Sequence, residues 1–346
     1  MSAPSLLRAP AGAHPLRPRA ASLVVAAALL LAGCAGGGDA AGPTEAAPSP
    51  GADDGYPVTV DNCGTEVTLE APPERIVTVK SSTTELVLAL GAADRLVGAA
   101  FLDGPFPPDL AEAGADVPIL SERAPSAEVV LAAEPDLVFA GWESHFAADT
   151  IGDRAELADL GVATYVAPAA CQGDGYRPDP LTFDDVFAHV LEAGELLGAR
   201  EEAAALVEEQ RAALAEVEPS TAGLTALWYS SGSDTPFVGG GSGAPQMIMD
   251  AVGLENIAAD IDAGWGSIGW ETVAAAEPDV VVLVDSAWNT AEHKIEVLES
   301  NPVTAALPAV AEGRYLVVEF AATEAGVRNV DAVASLAQQL AEVPLP

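Results

Sequence analysis

Residues 128–139 read EVVLAAEPDLVF, and residues 271–282 read ETVAAAEPDVVV. In each stretch a Glu opens a short helix-forming run, and Glu-Pro-Asp follows six residues later. Proline has no N–H and clashes with the preceding turn, so the helix ends there. An uninterrupted apolar, β-branched run begins at once, which is the pattern of a strand buried on both faces. The copies lie 143 residues apart, too far for a solenoid period. They predict two lobes of similar construction, with chance similarity of Ala-rich text as the alternative.

Outward from the first copy, the same alternation continues. Ile76–Val79 reads as a strand, Ser81–Thr84 as a capping cluster, and Glu85–Leu90 as a helix stopped by Gly91. Leu96–Ala100, Leu137–Ala140 and Val162–Val166 read as further strands, with helices over Ala127–Ala133 and Glu156–Leu160. Such alternation predicts an α/β fold with a parallel sheet covered by helices on both faces. Between the lobes, Thr182 and Asp185 resemble a capping box. A helical pattern runs from there to Pro219, with Gly194 and Gly198 as sites for a kink or break. A second-lobe strand opens at Leu224–Tyr229. Residues 56–181 are therefore assigned to a first lobe, 182–218 to a connecting helix, and 219–346 to a second lobe. A helical connector predicts a hinge that opens only slightly.

The first 34 residues are a separate object. Arg8, Arg17 and Arg19 precede an apolar run, Ala20 to Ala32, that is too short to span a membrane. It ends in Leu31-Ala32-Gly33-Cys34, which matches the bacterial lipobox. This predicts a signal peptide over 1–33, lipidation at Cys34, and a flexible linker over 34–55 rich in Gly, Ala, Pro and acid. The protein is thus expected in the cell envelope, lipid-anchored on the outer face of the cytoplasmic membrane, with no other membrane contact. Two cysteines remain, Cys63 and Cys171. In an oxidising exterior a disulfide is the simplest reading, with two buried thiols as the alternative.

The chain has 346 residues and a formal charge of −38, from 14 Lys+Arg against 52 Asp+Glu. That field repels nucleic acid, so no nucleic-acid partner is expected. His145, His189 and His293 show no metal-ligand spacing, and no metal site is expected. The run Gly239-Gly240-Gly241-Ser242-Gly243 lacks the Gly-Lys-Ser/Thr ending of a P-loop. As a nucleophile elbow it fails because Ala244 takes the final Gly position. A loop that lets backbone approach a ligand and a merely flexible loop both fit it.

At this point the sequence resembles a known family, the substrate-binding lipoproteins of bacterial ABC importers of the iron-siderophore and cobalamin type. The segments that carry it are PPERIVTVKSSTTELVLALGAADRLVGAA (72–100), PSAEVVLAAEPDLVFAGWE (125–143), the connector, WETVAAAEPDVVVLVD (270–285) and NPVTAALPAVAEGRYLVVE (301–319). FLDGPFP (101–107), Cys63 with Cys171, residues 227–253, AWNT (287–290) and ATEAGVRNVDA (322–332) are similar to a narrower actinobacterial group assigned to import of a deazaflavin coenzyme precursor. The resemblance implies a class III periplasmic-binding-protein-like fold, two doubly wound lobes joined by a helical connector. It implies one small ligand in the interlobe cleft, a ferric siderophore, a corrinoid or the deazaflavin precursor. That ligand passes to a permease dimer with its ATPase. It also implies that Glu128 and Glu271, one on each lobe, dock on the two permease subunits. No resident cofactor, no catalysis and a monomer are expected.

In doubly wound lobes the crevice lies at the carboxyl ends of the strands. Lys80, Ser81 and Ser82 follow one predicted strand there, and Trp142 and Glu143 another. Trp228, Tyr229 and Ser230 close the first strand of the second lobe, and Trp288 follows Val280–Asp285. Trp can stack on a planar ligand and donate one N–H. Trp265 and Trp270 flank an irregular segment and are weaker candidates. Lys80 and Arg328 are the candidate cations for an anionic ligand. The competing readings are an exported α/β hydrolase using a serine of 230–242, an Asp and His293, and a ligand-sensing surface lipoprotein with no transporter.

Overall fold

Two sheets organise the chain. A computed structural model describes residues 55–345, so the signal peptide, Cys34 and all but the last residue of the linker lie outside the described residues. Strands β1 (Val58–Asn62) and β2 (Thr65–Leu69) form an antiparallel hairpin. The first sheet follows, from β3 (Ile76–Val79), β4 (Leu96–Ala100), β5 (Ile119–Ser121), β6 (Leu137–Ala140) and β7 (Ala163–Val166). Its order is β5-β4-β3-β6-β7, parallel throughout. Every residue of β3 and β6 is buried, as central parallel strands require. Helices α1 (Ser81–Ala89), α2 (Ala111–Gly114), α3 (Ala127–Leu131) and α4 (Arg154–Asp159) connect these strands.

The second sheet holds β8 (Leu224–Ser231), β9 (Phe237–Gly239), β10 (Leu254–Asn256), β11 (Trp265–Ser267), β12 (Val280–Asp285) and β13 (Tyr315–Glu319). Its order is β11-β9-β8-β12-β13. One edge of β8 is shared: β10 pairs with its start at Leu224–Ala226, and β9 with its end at Tyr229–Ser231. Strands β9 and β11 run antiparallel to their neighbours, while β10, β8, β12 and β13 pair in parallel. The reason is local, since Gly232 at φ 88° turns the chain straight back on β8 instead of into a helix.

The sequence echo is a real structural repeat. Glu134 and Glu277, each ahead of the Pro, take left-handed φ values of 48° and 46°. The Asp136 carboxylate accepts the backbone N–H groups of Glu74 (2.7 Å) and Arg75 (3.0 Å). Asp279 likewise accepts the N–H of Thr225 (2.8 Å). In return, the Asp136 and Asp279 N–H groups donate to the carbonyls of Arg75 and Thr225, both at 2.9 Å. Each Asp therefore buckles the start of one parallel strand to the start of its neighbour, β6 to β3 and β12 to β8.

The connector is two helices, α5 (Phe183–Leu197) and α6 (Arg200–Ala215). The capping box of Thr182 and Asp185 forms as read. Gly198 adopts φ 67°, the left-handed stop that glycine takes without steric cost, and the chain reverses there. The helices fold on each other: a Cβ on Gly194 would lie 2.3 Å from that of Ala203, and Arg211 reaches Asp184 at 2.7 Å. Phe187, Val190, Ala193, Leu196 and Leu197 of α5 join the core under the first sheet. The connector is thus a packed hairpin rather than a free rod.

Helix α1 begins at Ser81, four residues before the expected start. The hydroxyls of Thr83 and Thr84 bond back to the carbonyls of Val79 and Lys80, so the Ser-Thr cluster lies inside the first turn. The remaining helices are α7 (Ala244–Val252), α8 (Trp270–Ala276), α9 (Ala291–Ser300), α10 (Pro308–Ala311) and α11 (Asn329–Glu342). The described residues form one compact unit, and among them no helix is long and apolar enough to cross a membrane.

Candidate ligand cleft

A cleft of about 360 Å³ opens between the carboxyl ends of β3, β6 and β7 and the second half, where residues near the β9–β11 edge and beyond β13 face them. Ser82 reaches it after β3, Gly141 and Trp142 after β6, and Ala167 and Ala169 to Gln172 after β7. The second sheet contributes Ser242 to Ala244 after β9, Trp265 on β11, and Thr323 to Ala325 beyond β13. A second groove, about 510 Å³, lies between β2 and the starts of β6 and β7, at the opposite end of the strands from the expected crevice.

Trp142 joins the two halves. Its Nε1–H donates to Glu324 Oε2 at 2.8 Å, and His145 stacks on its ring with centroids 5.2 Å apart. Burial holds the His145 imidazole down to about 4, with the charge of Lys80 acting in the same direction. Enclosure lifts the Glu324 carboxyl above its usual range, against the pull of Lys80 and the Trp142 N–H.

Lys80 stands at the end of β3 as read, but it does not line the cleft. It is 1% exposed and ion-paired with Asp103. Its ammonium lies 4.2 Å from the Trp142 ring, 4.7 Å from Phe101 and 5.0 Å from Phe320. A desolvated cation over aromatic faces gains about 2 kcal/mol. That helps hold Lys80 at φ 91°, a conformation that costs a non-glycine residue about 1–3 kcal/mol. Gly141 permits the arrangement, since a Cβ there would lie 2.9 Å from Lys80 Cβ. Ser81 is fully buried and its Oγ accepts the Asp103 N–H (2.8 Å), while Ser82 does reach the cleft.

Arg328 is committed elsewhere. Its guanidinium donates to both carboxylate oxygens of Glu85 (2.7 and 2.5 Å), to Glu319 (2.7 Å) and to the Pro105 carbonyl (2.8 Å). Glu85 sits on α1 in the first half and Arg328 at the start of α11 in the second, so the pair clasps the halves together. Burial pushes the Glu85 carboxyl up and Arg328 pulls it back. Arg328 is therefore corrected from cleft cation to clasp.

Trp228 is corrected too: it is 0% exposed in the core beneath the second sheet. Tyr229 points to the opposite face, edge-on to Trp270, with its hydroxyl on the Gly232 carbonyl. Ser230 is buried beside them. Trp288 is exposed and packs edge-on to Phe320, outside the cleft. Glu143 accepts the N–H of Gln172 and braces a cleft loop without lining the cleft.

That loop is held by a disulfide between Cys63 and Cys171, 108 residues apart with Cα atoms 5.2 Å from each other. It carries Gln172, Arg177 and Leu181 into the lining. Arg177 and Glu324, which the sequence did not single out, line the cleft, and so does Trp265, a weaker candidate. The glycine run is tight for a different reason than a ligand. A Cβ on Gly240 or Gly241 would lie 2.3 or 2.0 Å from backbone oxygens of Ala263 or Ala259. Among the described residues no group of three His, Cys, Asp or Glu is placed to hold a metal ion.

The periplasmic binding protein family profile matches residues 76–321, which takes in both sheets and all of the cleft lining but Thr323, Glu324 and Ala325. The chain belongs to the periplasmic binding protein family. Members are solute binders rather than enzymes. The binding protein is 25% identical over 295 residues to the "uncharacterized ABC transporter substrate-binding lipoprotein YvrC" of Bacillus subtilis, covering 82% of this chain and 86% of the relative. It is 29% identical over 248 residues to a cobalamin-binding protein of Halobacterium salinarum, covering 67% of this chain and 60% of that one. Among solved structures, an ABC-type Fe3+-hydroxamate transport system from Saccharomonospora viridis superposes with a TM-score of 0.69 at 28% identity. That match covers 82% of this chain and 99% of the other.

Proposed function

We propose that this binding protein captures one small organic ligand or metal chelate in the cleft between its halves and delivers it to an ABC permease. The observation that carries the reading is the cleft itself, which is walled by Trp142, just past β6 in one half, and by Trp265, at the start of edge strand β11 in the other. Two indoles on a mostly apolar lining suit a ligand with a flat ring system. The named relatives bind cobalamin and belong to ferric hydroxamate transport. A ferric siderophore, a corrinoid or a deazaflavin-like coenzyme precursor falls within that chemistry. The lipobox at Cys34 and the lipoprotein relative support a tether on the outer face of the cytoplasmic membrane.

Delivery rests on the echo. Glu128 and Glu271 are both exposed, each in the first turn of its helix, α3 and α8. A carboxylate there is favoured by the helix dipole by about 0.3–1 kcal/mol without any partner. Two matching acidic positions on a two-part protein also suit a two-fold permease with a basic pocket on each subunit. The test is ATP hydrolysis by the reconstituted permease and ATPase on addition of the binding protein. Stimulation that Glu128→Ala or Glu271→Ala abolishes, most clearly at low salt, supports delivery. Equal stimulation by wild type and both variants refutes the docking role, and none by wild type refutes the transporter reading.

A further inference from the structure

Both cations that the sequence offered for a ligand's negative charge are neutralised inside the protein, Lys80 by Asp103 and Arg328 by Glu85 and Glu319. The charge of the cleft must be sought elsewhere. Arg177 lines it, is exposed, and makes no ion pair among the described residues. The loop that carries it is anchored at both ends. Cys171 is tied by the disulfide to Cys63, the Gln172 N–H is held by Glu143, and the Leu181 N–H donates to the Ser242 carbonyl at 2.9 Å.

The second half brings a complementary feature to the same cleft. Helix α7 starts there, with Gly243 and Ala244 in the lining. No side chain caps its N-terminus and no acidic residue stands in its first turn. The first N–H groups of a helix lack partners within it, here those of Ala244 and Gln246 since Pro245 has none, and the dipole places partial positive charge at that end. Beside them lies Ser242, 5% exposed and also in the lining, whose Oγ is buried without a hydrogen-bond partner. A buried hydroxyl left unpaired costs free energy, which a hydrogen bond to a group seated at the helix end would recover. The tight packing of Gly240, Gly241 and Gly243 against residues 259–264 fixes the approach to α7.

We infer that the cleft carries an oxyanion subsite, formed by the start of α7 at Gly243 and Ala244, the Ser242 hydroxyl and the Arg177 guanidinium. It takes a phosphate or carboxylate group of the ligand. The inference rests on the reading of this cleft as the ligand site. Glu324 lines the same cleft, but its carboxylate is turned to the Trp142 N–H. The net charge of −38 works against any anion, so local contacts must supply the selectivity. Arg and helix N–H groups are suited to this because they meet oxyanions in short, directional hydrogen bonds.

The test titrates the intact protein with inorganic phosphate, and separately with citrate, at ionic strength held constant with chloride. Trp142 and Trp265 report through their fluorescence. A saturable change is expected in wild type with at least one of the two anions. Arg177→Ala should weaken it about tenfold and Ser242→Ala about threefold, as for the loss of a charged and a neutral donor. Arg123→Ala, an exposed change outside the cleft lining, should leave it unaltered. No response beyond chloride to either anion, or equal responses in wild type, Arg177→Ala and Ser242→Ala, overturns the subsite. Native mass spectrometry of protein from its own host separates the two claims. A retained molecule lost on Trp142→Ala but indifferent to Arg177→Ala leaves the ligand cleft standing and removes the oxyanion subsite.

Discussion

Replacing Arg328 by Met would remove the clasp between the halves and leave Glu85, 1% exposed, with no cation beside it. Three contacts to carboxylates and one to the Pro105 carbonyl would disappear together. Breaking a buried pair by deleting one partner costs about 3–5 kcal/mol, because the remaining charge is buried without compensation. Burial already raises the Glu85 carboxyl and Arg328 only pulls it back, so in the variant it rises further. The sign follows from that. Above its raised pKa, folding must bury a charge; below it, Glu85 is neutral and the penalty fades. The deficit of Arg328→Met should therefore be larger at pH 8 than at pH 5. Urea unfolding monitored by circular dichroism, extrapolated linearly to water, reads it directly. Adding Glu85→Leu should recover part of the loss, since an apolar replacement of a whole buried pair is often close to neutral. A loss below about 1 kcal/mol in the single variant, or simple addition in the double, would refute the clasp.

Trp142→Ala and Trp265→Ala should each weaken the retained ligand by about 1–3 kcal/mol in a fluorescence or mass-spectrometric titration. Trp228→Ala should instead cost about 3–5 kcal/mol of stability in urea, because it empties part of the core. His189 is buried with Nε2 unpartnered, and burial holds it down to about 4. As pH falls below about 6.5 the unfolded chain takes up a proton that folded His189 refuses. Its contribution is thus intact above that pH and shrinks as pH falls toward 4. His189→Phe should therefore lose ~2–3 kcal/mol less stability than wild type between pH 7 and 4.5, read by urea unfolding at both pH values.

The order of strands and helices was legible because its signals are local. Pro135 and Pro278 end helices, Gly91, Gly161 and Gly198 stop them, and β-branched runs mark buried strands. The echo was legible for the same reason, and the structure adds its purpose in the Asp136 and Asp279 buckles. The cleft was only half legible. The position of Trp142 in the lining was legible because β6 ends at Ala140, leaving the indole beyond the strand. Trp228 was read as closing its strand, but β8 runs on to Ser231, which leaves the indole in the strand's interior, facing the core. Arg328 could not be read correctly, since Glu85 lies 243 residues away and nothing local marks the pairing. The partner of Lys80 did leave a trace, for Asp103 lies in the FLDGPFP segment directly after β4. Arg177 had a signal in its rarity, one of 14 basic residues in so acidic a chain, but no pattern tied it to the strand ends.

The most direct measurement is a crystal structure of the protein isolated from its own host with the small molecule it retains. The account predicts that molecule between Trp142 and Trp265, with its closest contacts drawn from both halves and from the loop fixed by Cys63 and Cys171. A retained molecule bound outside this cleft, or held by one half alone, would contradict it.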